Sequence, residues 1–228
     1  LKTLLSVVGA YKIYEKWLWH QVRDGDSKPE HIAIILDGNR RWASERSLSP
    51  WMGHEFGAEK VKELLDWCLD LGVKSVTLYA FSTENFQRHS AEVNEIMRIA
   101  EERLREVLRD ERIHKNRLRV KVIGRLSLLP PSLQRLIREV EEATKDYDQH
   151  FLNVALAYGG RAEIVDAARK IAEKVEEGEL STDMIDERVF EGYLYTAHMP
   201  KQDPDLIIRT SGEERLSGFL LWQCAYSE

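Results

Sequence analysis

The chain has 228 residues, with 33 Lys+Arg against 39 Asp+Glu and a net charge of −6. That mild acidity lacks the basic excess of a nucleic-acid binder, so no nucleic-acid partner is expected. With 43% hydrophobic and 32% charged residues, the composition is that of a folded chain rather than a disordered one. The two cysteines, Cys68 and Cys224, make no disulfide framework and read as buried reduced thiols, which suits the cytoplasm. No apolar run reaches the ~18 residues of a membrane span.

In chain order, Leu4, Leu5, Val7, Val8, Tyr11, Tyr14, Trp17 and Leu18 fit an amphipathic helix with a wide apolar face. It packs on its own domain or lies at a membrane surface; Tyr11, Tyr14, Trp17 and Trp19 beside lysines are the residue types that favour the second. Residues 24–29 read as a loop, which makes 1–28 an appendage to a domain over 29–228. The continuous apolar run 31–36 predicts a strand buried on both faces. An amphipathic helix follows over 55–70, with Val61, Leu64, Leu65 and Cys68 on one face. A second strand is expected over 75–80, then a helix capped by Ser90 and running to about residue 113. Strand 118–123, a helix opened by Pro130-Pro131-Ser132, strand 151–157, helix 161–176 and a short strand 205–208 complete the alternation. Ser217 is expected to cap a final helix holding Leu220, Leu221 and Cys224. This order predicts an α/β single domain: a mostly parallel central sheet with helices on both faces.

In open parallel sheets, ligands gather at the carboxyl ends of the strands. Those ends carry Asp37-Gly38-Asn39-Arg40-Arg41-Trp42, the stretch 81–88 ending in Arg88, Gly124-Arg125, Gly159-Gly160-Arg161, and Arg209-Thr210-Ser211-Gly212 with Arg215. Each end bears Arg, and four bear Gly. Guanidiniums with exposed backbone amides make an anion site, and Arg presents a planar fork to phosphate. Gly38 permits close backbone approach, and a helix starting near Asn39 would aim N–H groups at an anion. Asp37, a lone carboxylate among cations, is a natural Mg²⁺ ligand beside bound phosphates. Several arginines around it indicate more than one phosphate group. His54, between Gly53 and a helix, reads equally as a phosphate contact or as an ordinary loop histidine. Gly-Lys-Ser/Thr, Gly-x-Gly-x-x-Gly and Gly-x-Ser-x-Gly motifs are absent, and the histidines lack metal-ligand spacing.

Residues 31–43, His-Ile-Ala-Ile-Ile-Leu-Asp-Gly-Asn-Arg-Arg-Trp-Ala, resemble the first signature of the cis-prenyltransferases, the undecaprenyl and dehydrodolichyl diphosphate synthase family. The likeness continues in order through Gly53-His54 with Gly57, residues 78–85, Asn153 with Tyr158-Gly159-Gly160-Arg161, and residues 208–213. It spans 29–228, and the wording around Trp51-Met52-Gly53-His54 is similar to archaeal and eukaryotic members. The resemblance implies an Mg²⁺-dependent transferase that condenses isopentenyl diphosphate repeatedly onto a farnesyl or geranylgeranyl diphosphate primer, giving a long-chain carrier-lipid precursor. It implies that Asp37 handles Mg²⁺ at the diphosphate. Gly38, Asn39, Arg40, Arg41 and His54 would hold the allylic diphosphate, with Trp42 as adjacent substrate wall. Ser82, Thr83, Glu84, Phe86 and Arg88 would make further substrate contacts, and Asn85 would assist proton removal, directly or through water. Arg209, Arg215, Leu216 and Ser217 would bind isopentenyl diphosphate, and Glu228 would ligate Mg²⁺ across a homodimer. Ala80 and Leu152 would line the chain tunnel.

Three departures stand out. Pro50 occupies a position where bacterial members carry a diphosphate-binding arginine, with Arg46 the nearest replacement. Glu214 stands where they have a metal-contacting histidine. Family members run past the position of Glu228 with an aromatic strand and an Arg-x-Gly tail, so the chain reads as ending short of the family's C-terminus. A non-catalytic subunit of the same fold is disfavoured by the intact Asp37, Arg41, Asn85, Arg209 and Arg215. A phosphatase with Asp37 as nucleophile is disfavoured by Asn39 where a second acid is usual. Asp203-Pro204-Asp205 reads as a turn before a strand rather than as the metal motif of the trans-prenyltransferases.

Overall fold

A computed structural model of the chain describes residues 10–25 and 28–228. Five strands form one sheet in the order β3-β4-β2-β1-β5, every neighbouring pair parallel. They are β1 (His31–Ile35), β2 (Ser75–Ser82), β3 (Leu118–Ile123), β4 (His150–Tyr158) and β5 (Leu206–Arg209). The helices are α1 (Ala10–Asp24), α2 (Asn39–Ser44), α3 (Pro50–Leu71), α4 (Ser90–Val107), α5 (Glu111–Lys115), α6 (Pro131–Thr144), α7 (Gly160–Glu176) and α8 (Glu187–Glu191). The expected α/β architecture is present. Leu4, Leu5, Val7 and Val8 lie outside the described residues. No helix among those described is long and apolar enough to cross a membrane.

The two faces of the sheet differ. Ile32, Ile34, Val76, Leu78, Val120 and Leu152 belong to the main core, with α3, α4 and α6. On the other face Ala33, Ile35, Tyr79 and Ala155 pack under Phe219 and Leu220, with Phe219 stacked on Tyr79 at 4.6 Å. This second face also buries a polar chain. His31 Nε2 lies 2.8 Å from Thr77 Oγ1, Asn153 Nδ2 donates to the same oxygen at 3.2 Å, and His198 Nε2 lies 2.8 Å from Asn153 Oδ1. Burial pushes His31 and His198 down to about 4, so both are neutral partners near pH 7.

Several boundaries differ from expectation for physical reasons. Helix α3 starts five residues earlier than expected, with Pro50 at its first position. Gly53 therefore lies inside it, where an added Cβ would come within 2.2 Å of the Asn39 carbonyl oxygen, so α2 rests directly on α3. Gly72 (φ 77°) ends α3, with its N–H on Leu69 O and that of Val73 on Cys68 O, a Schellman closure. His89, not Ser90, caps α4, through Nδ1 accepting from the Ala91 N–H. The helix expected to reach residue 113 ends at Val107, and Asp110 caps the separate α5. The expected C-terminal helix is absent: Ser217, Gly218 and Leu220 all have positive φ, and 217–226 winds through turns that seat Phe219 and Leu220 on the sheet.

Candidate functional site

Strand β1 lies between β2 and β5, with residues 31–35 in register with 75–79 and residues 32–35 with 206–209. The chain leaves β1 toward β2 and returns to β5 on the opposite side, so a crevice opens at the carboxyl ends of β1 and β5. An open cleft of about 640 Å³ sits there, lined by Arg40, Arg41, Arg88, Arg209 and Arg215 against Asp37 and Glu213, with Gly38, Asn39, Ser44, Pro50 and Ser211. Five guanidiniums face two carboxylates, which makes the cleft an attractor of anions.

Asp37 is its hub. Oδ1 accepts the Gly38 N–H at 2.7 Å, and Oδ2 meets Arg209 Nη2 at 2.5 Å and Nε at 3.1 Å. Burial pushes the carboxyl up, but the Arg209 guanidinium, the nearby Ser211 hydroxyl and the Gly38 amide outweigh it and hold the group below its ordinary value. The Ser211 hydroxyl is buried beside the same carboxylate, close enough to lower its pKa but without a well-formed hydrogen bond. Thr210 Oγ1 donates to Asp37 O at 2.9 Å, and Arg41 Nη2 donates to Ser211 O, so the β1 and β5 loops are laced together. Gly38 (φ 92°) turns the chain into α2, and a Cβ there would lie 3.6 Å from Ser211 Cβ. Arg209 also donates from Nη1 to Arg215 O and, at 3.0 Å, to Ser217 Oγ.

A second cluster adjoins the first. Glu92 Oε1 lies 3.2 Å from His54 Nε2, 3.0 Å from Arg88 Nη1 and 3.7 Å from Arg40 Nε. Burial pushes the His54 imidazole below its ordinary value, against the upward pull of Glu92. Glu92 itself is raised by burial and lowered more by His54, Arg40 and Arg88, for a net fall. Glu92 was not among the expected site residues, and Ser211 and Glu213 were expected only as part of the strand-end stretch, with no role of their own. Glu92 stands in the first turn of α4, where an acid is ordinary for dipole reasons, so its spacing carried no distinguishing signal.

The remaining expected residues fall as follows. Ser82 and Asn85 form a reciprocal cap, Ser82 Oγ accepting from the Asn85 N–H and Asn85 Oδ1 from the Ser82 N–H, each at 3.2 Å. That cap shapes the turn 83–87, which holds Thr83, the exposed Glu84, and Phe86 edge-on to Phe81 at 4.9 Å. Trp42 packs against Phe56 at 5.0 Å, and the Arg46 guanidinium sits 4.4 Å above its ring. Arg46 is thus engaged outside the residues that line the cleft, and Pro50 lines its rim. Leu216 is half-buried on the turn that leads to Ser217. Not every strand end contributes as expected. Arg125 pairs with Asp166 at 3.0 and 2.9 Å, and neither it nor Arg161 lines the cleft, because β3 and β4 lie at the far side of the sheet. Glu228 lies along the outer edge of β5, its C=O accepting from the Ile207 N–H at 2.8 Å, away from its own chain's cleft.

Behind the cleft an apolar cavity of about 270 Å³ runs between the sheet and α3, α4 and α5. Leu36 belongs to both spaces, and His54 stands at the mouth. Ala80 and Leu152 line it, as expected, with Val61, Leu65 and Ile99.

An arginine-lined cleft adjoining a hydrocarbon-lined cavity is suited to an amphiphile with an anionic head. Comparison with known proteins places it more closely. The family model described as "Putative undecaprenyl diphosphate synthase" matches residues 35–228. The tritrans,polycis-undecaprenyl-diphosphate synthase (geranylgeranyl-diphosphate specific) of Methanopyrus kandleri is 53% identical over 224 residues, 98% of this chain and 82% of that protein. Its namesake in Methanocaldococcus jannaschii is 52% identical, covering 96% of this chain and 78% of the relative. The crystal structure of lavandulyl diphosphate synthase from Lavandula x intermedia, in complex with dimethylallyl diphosphate, superposes with a TM-score of 0.84 at 42% identity, over 88% of this chain and 85% of that one. The chain belongs to the cis-prenyltransferase family.

The Glu92 cluster yields a test. Glu92→Gln removes the charge that supports imidazolium at His54, so the His54 pKa should fall further below its ordinary value. An NMR titration of the His54 ring checks this, and an upward movement would refute the assignment.

Proposed function

We propose that the protein condenses isopentenyl diphosphate repeatedly onto an allylic diphosphate primer and makes a long-chain polyprenyl diphosphate, the precursor of a glycosyl carrier lipid. The observation that carries this reading is the adjacency of the arginine-lined cleft and the apolar cavity, which meet at Leu36 and suit diphosphates at the strand ends with hydrocarbon behind them. The names of the archaeal relatives favour geranylgeranyl over farnesyl diphosphate as primer and an undecaprenyl-length product.

In this reading the allylic diphosphate lies over Gly38, Asn39, Arg40 and Arg41, with Arg88 and His54 held toward it by Glu92. Isopentenyl diphosphate lies against Arg209, Arg215 and Ser217. Asp37 fits an Mg²⁺ ion: one half-exposed carboxylate, with the orphaned Ser211 hydroxyl beside it, suits a cation completed by diphosphate oxygens. No group of three or more His, Cys, Asp or Glu among the described residues forms an all-protein cage, which fits the same division of ligands. Bound there, Mg²⁺ would neutralise charge growing on the departing diphosphate. The arginines supply fixed positive charge to the same end. Asn85, with one Oδ1 lone pair left after its cap, orients the group that receives the proton lost from the extended unit. The cavity keeps water from the allylic carbon. Glu228, on the β5 edge, serves a second copy of the chain in a homodimer rather than its own cleft. Residues 1–22 touch the membrane surface, a reading supported by the exposure of Ile13, Tyr14, Trp17, Leu18 and Val22 along α1.

Three outcomes test this. Asp37→Ala, or a chelator with the unaltered protein, should lower turnover ~10³-fold or more in incorporation of labelled isopentenyl diphosphate; full activity in either case sinks the mechanism. Arg209→Lys should raise KM for isopentenyl diphosphate by roughly 10- to 150-fold, the scale of a lost charge-assisted bond, and barely move that for the primer. Arg41→Lys should do the reverse, and equal effects on both substrates would show the two sites misassigned. Removal of residues 1–22 should weaken sedimentation with anionic liposomes more than it lowers Tm; unaltered binding would make α1 merely structural.

A further inference from the structure

The donors of Arg209 are almost all engaged within the protein. A guanidinium carries five N–H groups, and most of those on Arg209 have acceptors. Nη1 donates to Arg215 O and, at 3.0 Å, to Ser217 Oγ. Nη2 and Nε both turn to Asp37 Oδ2, at 2.5 and 3.1 Å. The Nε–Nη2 edge is the planar fork that grips a carboxylate or a phosphate with parallel hydrogen bonds. The acceptors of Nη1 belong to the turn 215–217, whereas Asp37 lines the cleft and is open to exchange. A diphosphate on this side of the cleft therefore takes the fork by displacing the Asp37 carboxylate. Oδ2 then loses both of its donors, and Oδ1 keeps the Gly38 N–H.

One hydroxyl is placed to replace them. Ser211 Oγ is buried beside the carboxylate and has no hydrogen-bond partner. A buried polar atom left unpaired calls for a specific explanation, because leaving it so costs stability. The main chain around it is pinned to the same loop. Thr210 Oγ1 donates to Asp37 O at 2.9 Å, and Arg41 Nη2 donates to Ser211 O. Ser211 also lies over Gly38, where an added Cβ would come within 3.6 Å of its own Cβ. The hydroxyl thus stays beside Asp37 and reaches it by rotation of its own side chain.

We propose that Ser211 is a positioning residue for Asp37: when a diphosphate takes the Arg209 fork, the Ser211 hydroxyl becomes the carboxylate's donor and holds it as a cation ligand. The inference rests on the two-diphosphate reading above and adds an order to it. Isopentenyl diphosphate frees the carboxylate, and Ser211 keeps it oriented, as donors behind a metal ligand do.

The test compares Ser211→Ala and Ser211→Thr with the wild type. Mn²⁺ binding is followed by electron paramagnetic resonance, with and without saturating isopentenyl diphosphate and with no primer, so that nothing turns over. Ser211→Ala should weaken Mn²⁺ binding about 3- to 10-fold in the diphosphate complex, the scale of one hydrogen bond. Without the diphosphate it should leave Mn²⁺ binding unchanged, because Arg209 then holds Asp37. In steady-state kinetics with both substrates, half-saturating Mg²⁺ should rise by a similar factor and kcat fall, while KM for each diphosphate stays nearly constant. Ser211→Thr, which keeps the hydroxyl, should restore wild-type behaviour in both measurements. Two results overturn the proposal in a variant with the wild-type circular dichroism spectrum: unaltered Mn²⁺ binding in the Ser211→Ala complex, or equal weakening with and without the diphosphate. A wild-type protein that binds no isopentenyl diphosphate defeats the underlying reading instead, a different result.

Discussion

The carboxylate of Asp37 and the guanidinium of Arg209 meet across the crevice between β1 and β5, and the site takes its shape from that meeting. The two residues are 172 positions apart in sequence. They become neighbours only because β5 pairs with β1 on the side away from β2. Alone, Asp37 would be a carboxylate at a strand end and Arg209 a cation at the opposite lip. Paired, each orders the other's loop: Asp37 also fixes the Gly38 amide, and Arg209 also fixes Ser217 and the Arg215 carbonyl. A largely covered guanidinium paired in this way is oriented before any ligand arrives, which is the preorganisation that anion binding needs.

The sheet supports this arrangement by treating its faces differently. Toward Phe219 and Leu220 it presents small residues, Tyr79 and the neutral His31–Thr77–Asn153–His198 chain, all close-packed. Toward α3 and α4 it presents branched aliphatic side chains, yet the packing there is incomplete and leaves the apolar cavity. Protein interiors are ordinarily filled to crystal-like density, and an unfilled apolar space forfeits dispersion contacts on every wall. A void of this size beside an arginine-lined cleft is packing stability given up, and it leaves room for an apolar ligand tail.

Much of the fold was legible in the sequence, and the reasons are local. The apolar run 32–36, Ile-Ala-Ile-Ile-Leu, has no polar face, so only a strand covered on both sides accommodates it. Gly53-His54 concealed the start of α3, because glycine there answers a contact with Asn39 O rather than a turn. The C-terminal turns were read as a helix because Leu220, Leu221 and Cys224 repeat at helical spacing, while the positive φ of Ser217 and Leu220 is a tertiary demand that no local pattern announces. Asp37 and the cleft arginines were legible because several cations at strand ends have few structural explanations. Glu92 was not, since an acid in a first helical turn has a ready one. The cavity was invisible for a deeper reason: a hydrophobic face records that water is to be avoided, not whether the facing surface is touched or held apart.

Repeated condensation places a demand on the cleft that a single reaction does not. On the proposed assignment of the two halves, the extended chain carries after each addition the diphosphate that entered on the Arg209–Arg215 side, and the next round requires it on the Arg41 side. Arg209 spans the boundary, bonded to Asp37 on one flank and to Ser217 on the other. Arg41 reaches back to the β5 loop through Ser211 O. The two halves are therefore one continuous field of donors with no apolar divide between them. On the elongation reading, a diphosphate crosses from one half to the other by exchanging guanidinium partners, without passing through bulk water and without giving up the full strength of its charge-assisted bonds at any point. Two separated pockets of equal affinity would impose full desolvation and resolvation at every cycle. On that reading, the lacing of the β1 and β5 loops serves the transfer between the halves as much as binding.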